Sequence, residues 1–366
     1  MIDNRGVSAG SYRRAKHSSN RKYFVLTLLV LALLFVLSGG FGIFDSLEDH
    51  SIKETDAFCG DGTMYNSCSN VQPYYCKDDK FIELASVCGC PEGFGKNKDI
   101  CFSNYNTGYK NTRLNYTLRG EKGFIDFVVY EGFRDYISKI PRSISSLPNE
   151  EYSRADFTLK AINEEEQAKF LMPLVIKIQN ITDDKEDQMR IAISVVQNIP
   201  FGASNKTAYF GGNKVSYSRY PYEVIYDMQG ICGEKTDLLV FLLRELGYGT
   251  SLIYYGPENH EALGLECPVE ESLDGSGYCF VETTAPAIIT DNQISYVGVG
   301  KLLSQPEIYP ISSGNSIANN LEEYGDAEKL IRIRNFIERS GILGPINEIR
   351  LKKIEEKYGL SEEYYG

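Results

Sequence analysis

An α+β protein is expected from this chain: a helix bearing a cysteine packs on an antiparallel sheet, after a transmembrane helix and a small disulfide-rich module. Three features point there. A 22-residue stretch without a charge lies near the N-terminus, six cysteines crowd into 43 residues after it, and a cysteine-led, leucine-rich segment is followed by short strand signals. A chain of 366 residues can bury at least one sizeable core, and its length suggests roughly two or three domains.

The uncharged stretch is "YFVLTLLVLALLFVLSGGFGIF", Tyr23 to Phe44, long enough to span a bilayer. Six basic residues precede it (Arg5, Arg13, Arg14, Lys16, Arg21, Lys22), and residues 45–58 hold five acids against Lys53. The positive-inside rule then leaves the N-terminus in the cytosol and the bulk of the chain outside the cell membrane as a single-pass protein. Because the apolar run continues past "LSGG", a retained anchor is expected rather than a cleaved leader. With a net charge of −12 and no basic stripe, the chain lacks what nucleic acid requires, since phosphates must be neutralised by Lys and Arg.

Cys59, Cys68, Cys76, Cys88, Cys90 and Cys101 sit in a segment rich in Gly, Asn and Asp and poor in aliphatic residues. Such a piece cannot hold itself by a hydrophobic core, so three disulfides are expected, with fifteen possible pairings left open. A zinc site would need a C-x-x-C pair or a histidine there, and neither is present. Asn115, Asn180 and Asn205 each head an N-x-T sequon and are candidate glycosylation sites.

Next, "TRLNYTL" and "FIDFVVY" flank "RGEKG" as a β-hairpin, with Ile125, Phe127 and Val129 alternating. A polar connection over 141–156 leads to two amphipathic helices, marked by Phe170, Leu171, Leu174, Val175 and Ile178, then by Met189, Ile191, Ala192, Val195 and Val196. The Gly- and Tyr-rich run from Ile199 to Gly230 has no clear periodicity and is expected to line a cleft. Leu238, Leu239, Leu242, Leu243 and Leu246 then recur at helical spacing, and Gly247 stands where a left-handed residue would stop the helix. Strand signals follow at "SLIYYG", "HEALGLEC" and "GYCFVETT". Two charged amphipathic helices close the chain, with stripes through Leu330, Ile333 and Phe336 and through Ile346, Ile349 and Ile354.

This arrangement puts Cys232 in the first turn of its helix, where unpaired N–H groups and the helix dipole favour a thiolate. Thiol-based acyl transfer needs in addition a base and a group that orients the base. Three histidines occur in the chain, and His17 and His50 flank the apolar stretch, which leaves His260. If "HEALGLEC" and "YCFVETT" pair as antiparallel strands, His260 and Glu282 share one face while Cys267 and Cys279 share the other. The register is open. Setting Glu282 opposite His260 displaces Cys267 from Cys279, and pairing the cysteines displaces the acid. A Cys267–Cys279 bridge is expected nonetheless, which leaves Cys232 unpaired in an oxidising compartment. A zinc site from Cys232, His260, Cys267 and Cys279 is disfavoured by wide, irregular spacings.

The phrases "DDKEDQMRIAISVVQNIPF", "GICGEKTDLLVFLLRELGYGTSLIYYG", "NHEALGLEC" and "YCFVETTAP" resemble the transglutaminase-like superfamily, prokaryotic branch. The resemblance covers about residues 183 to 286. It implies a papain-like α+β core with Cys232 as nucleophile, His260 as general base and acid, and Glu282 as third member. The chain departs from the family in carrying Glu282 where Asp is commoner, Ala262 and Leu263 where an aromatic often follows the histidine, and no Trp. Backbone N–H groups near Cys232, Gly233 among them, are the expected oxyanion donors, with Gln229 and Tyr222 as further cleft candidates.

The expected partition is a cytosolic basic tail (1–22), a transmembrane helix (23–44), an acidic linker (45–58), the disulfide-rich module (59–101), a β-rich region (102–160), a transglutaminase-like catalytic domain (161–310) and a helical extension (311–366). The expected function is membrane-anchored, extracytoplasmic acyl transfer on amide bonds, first of all peptide hydrolysis on a peptide or protein substrate, with no metal or organic cofactor. Protein cross-linking and non-catalytic binding at a cell surface are the alternatives.

Overall fold

The computed structural model describes residues 58–144, 151–210, 213–296 and 300–360. The described residues open with the cysteine-rich module. A hairpin of β1 (Tyr74–Lys77) and β2 (Lys80–Glu83) turns at Asp78 and Asp79, both with positive φ, as a two-residue turn between right-twisted strands requires. A single helical turn, α1 (Ala85–Cys88), and a second hairpin of β3 (Gly95–Asn97) and β4 (Ile100–Phe102) complete it. Disulfides join Cys59 to Cys76, Cys68 to Cys88 and Cys90 to Cys101.

A long hairpin follows, β5 (Tyr109–Leu118) with β6 (Glu121–Tyr130). Its turn is Arg119–Gly120, both at positive φ, so the "EKG" expected in the loop instead begins the second strand. Leu114, Ile125, Phe127 and Val129 point inward to the main core. Helices α2 (Glu131–Ile137), α3 (Arg154–Ile162), α4 (Glu165–Gln179) and α5 (Lys185–Gln197) come next. The last two are capped by carboxylates that accept orphan amides, Glu164 from the Gln167 N–H at 2.6 Å and Asp184 from the Asp187 N–H at 2.8 Å. Their apolar stripes are buried as the spacing predicts.

The Gly- and Tyr-rich run is not a bare loop. It contains a hairpin, β7 (Thr207–Phe210) with β8 (Asn213–Ser216), and a short helix α6 (Pro221–Asp227), started by its proline. Then α7 (Cys232–Glu245) lies against an antiparallel sheet ordered β11 (Tyr278–Val281), β10 (His260–Glu266), β9 (Thr250–Tyr255) and β14 (Glu307–Ser312). A two-stranded pair, β12 (Ser295–Tyr296) with β13 (Gly300–Lys301), falls between β11 and β14 in the chain. Helix α7 is apolar on several sides because it is the central layer: Leu238 to Leu243 are all fully buried, between the sheet and the helices α4 to α6.

Two helices, α8 (Glu322–Ser340) and α9 (Pro345–Tyr358), close the described chain, each ending on a left-handed glycine, Gly341 and Gly359. Leu330, Ile333 and Ile354 are buried, whereas Phe336, Ile346 and Ile349 are exposed, so only part of each expected stripe meets the core. Ion pairs fix α8: Arg190 forks onto Glu323 at 2.5 and 3.0 Å, and Arg334 onto Asp291.

The α+β core is therefore present, and two expectations are corrected. Among the described residues no helix is long and apolar enough to cross a membrane. The longest, α8, carries charges on nearly every turn. The fold class stands as the α+β core with its disulfide module, and the expected transmembrane helix and single-pass assignment find no support in the described structure. The expected span at 23–44 lies outside the described residues. Four disulfides fit an oxidising, extracellular compartment.

Candidate functional site

Cys232 is the first residue of α7, and it is the one free cysteine among nine. The helix start is set by local sequence. Ile231 is extended, and Glu234 at the third helical position accepts the Ile231 N–H at 3.0 Å, satisfying one orphan donor. Glu234 also takes the Arg219 N–H at 2.7 Å and the Arg219 guanidinium at 3.0 Å, so the segment before α6 is tied to the cysteine's own turn. From the other side, "IPFG" runs parallel to "QGIC": Gly230 N–H donates to Pro200 at 3.2 Å and Gly202 N–H to Gly230 at 3.0 Å. Gly230 sits close under its neighbours: a Cβ there would stand 3.0 Å from the Lys235 side chain, which would have to give by a few tenths of an ångström.

His260 opens β10 and is buried, and the Cys232 side chain is among the groups acting on its ring. Its Nε2 lies 2.9 Å from Glu282 Oε2. Glu282 is 1 % exposed and follows directly on β11. Its other oxygen, Oε1, accepts from Thr283 N–H at 2.9 Å, Thr284 N–H at 2.7 Å and the Thr284 hydroxyl at 2.6 Å. Burial would by itself lower the His260 pKa, but hydrogen bonds to Cys232 and Glu282 and the charges of both raise it well above the ordinary imidazole value. Burial likewise would raise Glu282, and its bonds to His260 and Thr284 instead hold it well below the usual carboxylate range. The arrangement favours an imidazolium beside the Glu282 carboxylate.

Thr283 links the two halves: its hydroxyl donates to the Cys232 carbonyl at 3.4 Å and lies 3.1 Å from the Thr236 hydroxyl. Glu261, next to His260, is buried toward the same helix start. A Cβ on Gly233 would stand 3.1 Å from its carboxylate. Arg154 of α3 reaches Glu261 at 3.5 Å while lying 3.2 Å over the Tyr254 ring.

The other sequence candidates are placed as follows. Cys267 and Cys279 are bridged on the sheet face away from His260. Gln229 is half-buried, packed over Gly202, with its oxygen 3.5 Å from Arg219. Tyr222 is corrected: it is fully buried, edge-on to Phe133 at 4.7 Å, and its hydroxyl accepts the Tyr130 N–H at 2.6 Å, so it lines no cleft. Asn115 and Asn205 are exposed. Asn180 instead clasps the module, accepting the Phe81 N–H at 2.8 Å and donating to its carbonyl at 3.0 Å, which occupies the nitrogen a glycan would need. No group of metal-ligating side chains forms a cation site among the described residues.

Sequence reasoning missed Thr283, Thr284, Glu234, Arg219, Gln197 and Lys235. The paired threonines after the acid were legible as a phrase, but their donor role depends on the turn that brings them back onto Glu282.

Fold and site together define an α+β protein in which a free cysteine, a histidine and a glutamate form one connected group. No family model matches the chain, and no curated protein does. Among solved structures, calcium-bound LapG of Legionella pneumophila is similar over 48 % of this chain and 98 % of that one, with 13 % identity and a TM-score of 0.25. A likeness of that size carries no argument, and the functional reading rests on the geometry.

Proposed function

We propose that this protein is a thiol-dependent acyl-transfer enzyme of transglutaminase-like kind acting on amide bonds, with peptide hydrolysis its reaction. One observation carries the reading: the chain's free cysteine begins a helix and acts on a buried histidine whose Nε2 is held at 2.9 Å by a buried carboxylate.

In this reading the Cys232 sulfur attacks the amide carbonyl carbon and the carbonyl electrons move to oxygen. The backbone N–H groups of Cys232 and Gly233, free at the helix N-terminus, receive that oxyanion. As the tetrahedral intermediate collapses, the C–N bond breaks and His260 gives its proton to the departing amine, leaving a thioester. Neutral His260 then takes a proton from water, which attacks the thioester and releases the acid and the thiol. Glu282 stays ionised throughout and fixes the ring's orientation. Buried as it is, an unpaired carboxylate there would be costly, so its pairing with His260 serves both groups.

The test incubates the full chain and its Cys232→Ala form with a peptide library and a labelled primary amine. Cleavage that needs Cys232 supports hydrolysis. Amine incorporation that needs Cys232 transfers the assignment to cross-linking chemistry. Identical product patterns from the two proteins overturn the catalytic reading.

A further inference from the structure

We propose that Lys235 and Gln197 form a clamp from two helices that positions Glu282 against His260, making both of them positioning residues of the reaction proposed above, on which this inference rests. Lys235 lies one helical turn after Cys232 and is fully buried. Its Nζ donates to three backbone carbonyls: Ile199 at 2.5 Å, Thr284 at 3.0 Å and Gln197 at 3.4 Å. Gln197, the last residue of α5, is buried as well, and its Nε2 donates to the Glu282 carbonyl at 2.9 Å and the Ala287 carbonyl at 3.1 Å.

The backbone is thus gripped at Glu282 and again at Thr284, on both sides of the turn whose amides hold Glu282 Oε1. A shift of that turn would carry the carboxylate with it and take Oε2 away from the ring. The same ammonium is rooted in the nucleophile's helix, so the clamp sets the distance between Cys232's turn and the acid's turn. Packing alone does not call for these residues. An apolar side chain would fill the space without the desolvation cost of a buried amine. Burial lowers the Lys235 pKa to about 7, and the charge of Glu282 acts against that fall, which shows the amine facing the acid's field.

The test reads the ring itself. The His260 imidazole ¹⁵N signal of the full chain is titrated from about pH 6 to about pH 11 in the wild type, Lys235→Met and Gln197→Met, with His260→Gln assigning it among the three histidines. Among the described residues, the titratable groups facing the ring are Cys232 on α7, Glu282 after β11, Glu261 on β10 and Tyr255 across the ladder on β9. None of them is altered in the two clamp variants. Each variant is expected to lower the ring's midpoint by about one unit or more. Where turnover is measurable, kcat falls about tenfold with little change in KM. Folded variants that keep the wild-type midpoint overturn the proposal. If Lys235→Met does not fold, Gln197→Met decides with the same two outcomes. Because the titration needs no substrate, failure of the clamp and failure of the catalytic reading are told apart.

Discussion

His260 and Glu282 share a sheet face but sit two residues out of register: Leu263 pairs with Val281, which sets Glu282 beside Ala262. The bridge on the opposite face is staggered by the same amount, since Cys279 pairs with Leu265 and Cys267 lies two residues on. Both pairs are diagonal neighbours, within reach of long side chains and, at a Cα separation of 5.8 Å, of a disulfide. One register therefore serves the ion pair and the bridge together, with neither directly opposed.

Replacing Glu282 by Gln should move the alkaline limb of kcat/KM. The protonated ring donates to the leaving amine, so activity is lost as pH rises through the His260 pKa. That pKa stands well above about 6.5 because of Cys232 and Glu282. Removing the Glu282 charge takes away part of the rise while burial still acts downward. The limb is expected to fall toward the ordinary imidazole value, with kcat lower by about a hundredfold near neutral pH. A pH–rate profile of the two proteins checks it, and an unmoved limb contradicts the role given to Glu282.

Removing the Cys267–Cys279 bridge by a double serine substitution should cost stability and leave chemistry. The bridge closes a loop with a sequence separation of 12, for which chain entropy gives about 3 kcal/mol. It lies on the face away from His260. Denaturant unfolding should show the loss while kcat/KM stays within about threefold of the wild type. A collapse of activity at full folding would mean that the bridge sets the strand register.

How far the sequence carried these details differs residue by residue. Cys232 was legible because leucine spacing and Gly247 bracket its helix, and His260 because histidines are scarce. The two-residue stagger was not. Alternation fixes which face a side chain takes, and diagonal partners on one face leave the same pattern as opposed ones. Lys235 and Gln197 were invisible because polar residues on a helix read as solvent-facing unless the carbonyls awaiting them are known. Tyr222 read as a cleft residue because nothing local announces the Phe133 and Phe170 rings that enclose it. The three bridges of the module follow from fold geometry, which cysteine spacing does not encode.

Among the sequons, Asn180 should remain unmodified. Its amide is spent on both backbone groups of Phe81, whereas Asn115 and Asn205 are exposed. Expression in a glycosylating host followed by glycopeptide mass spectrometry is expected to find glycans at the latter two positions. Asn180→Ala should loosen the module by about 1 to 3 kcal/mol, read as faster hydrogen exchange at Phe81. A glycan on Asn180 in folded protein would contradict the docking of the module on α4.

The central claim is that the Cys232 sulfur is reachable and activated by His260. It is tested most directly by the rate at which iodoacetamide alkylates the unreduced full chain near neutral pH, in the wild type and in His260→Ala. The expected result is modification at Cys232 alone, slowed by about tenfold or more when the imidazole is removed. A rate indifferent to His260, or a Cys232 found locked in a disulfide, would contradict it.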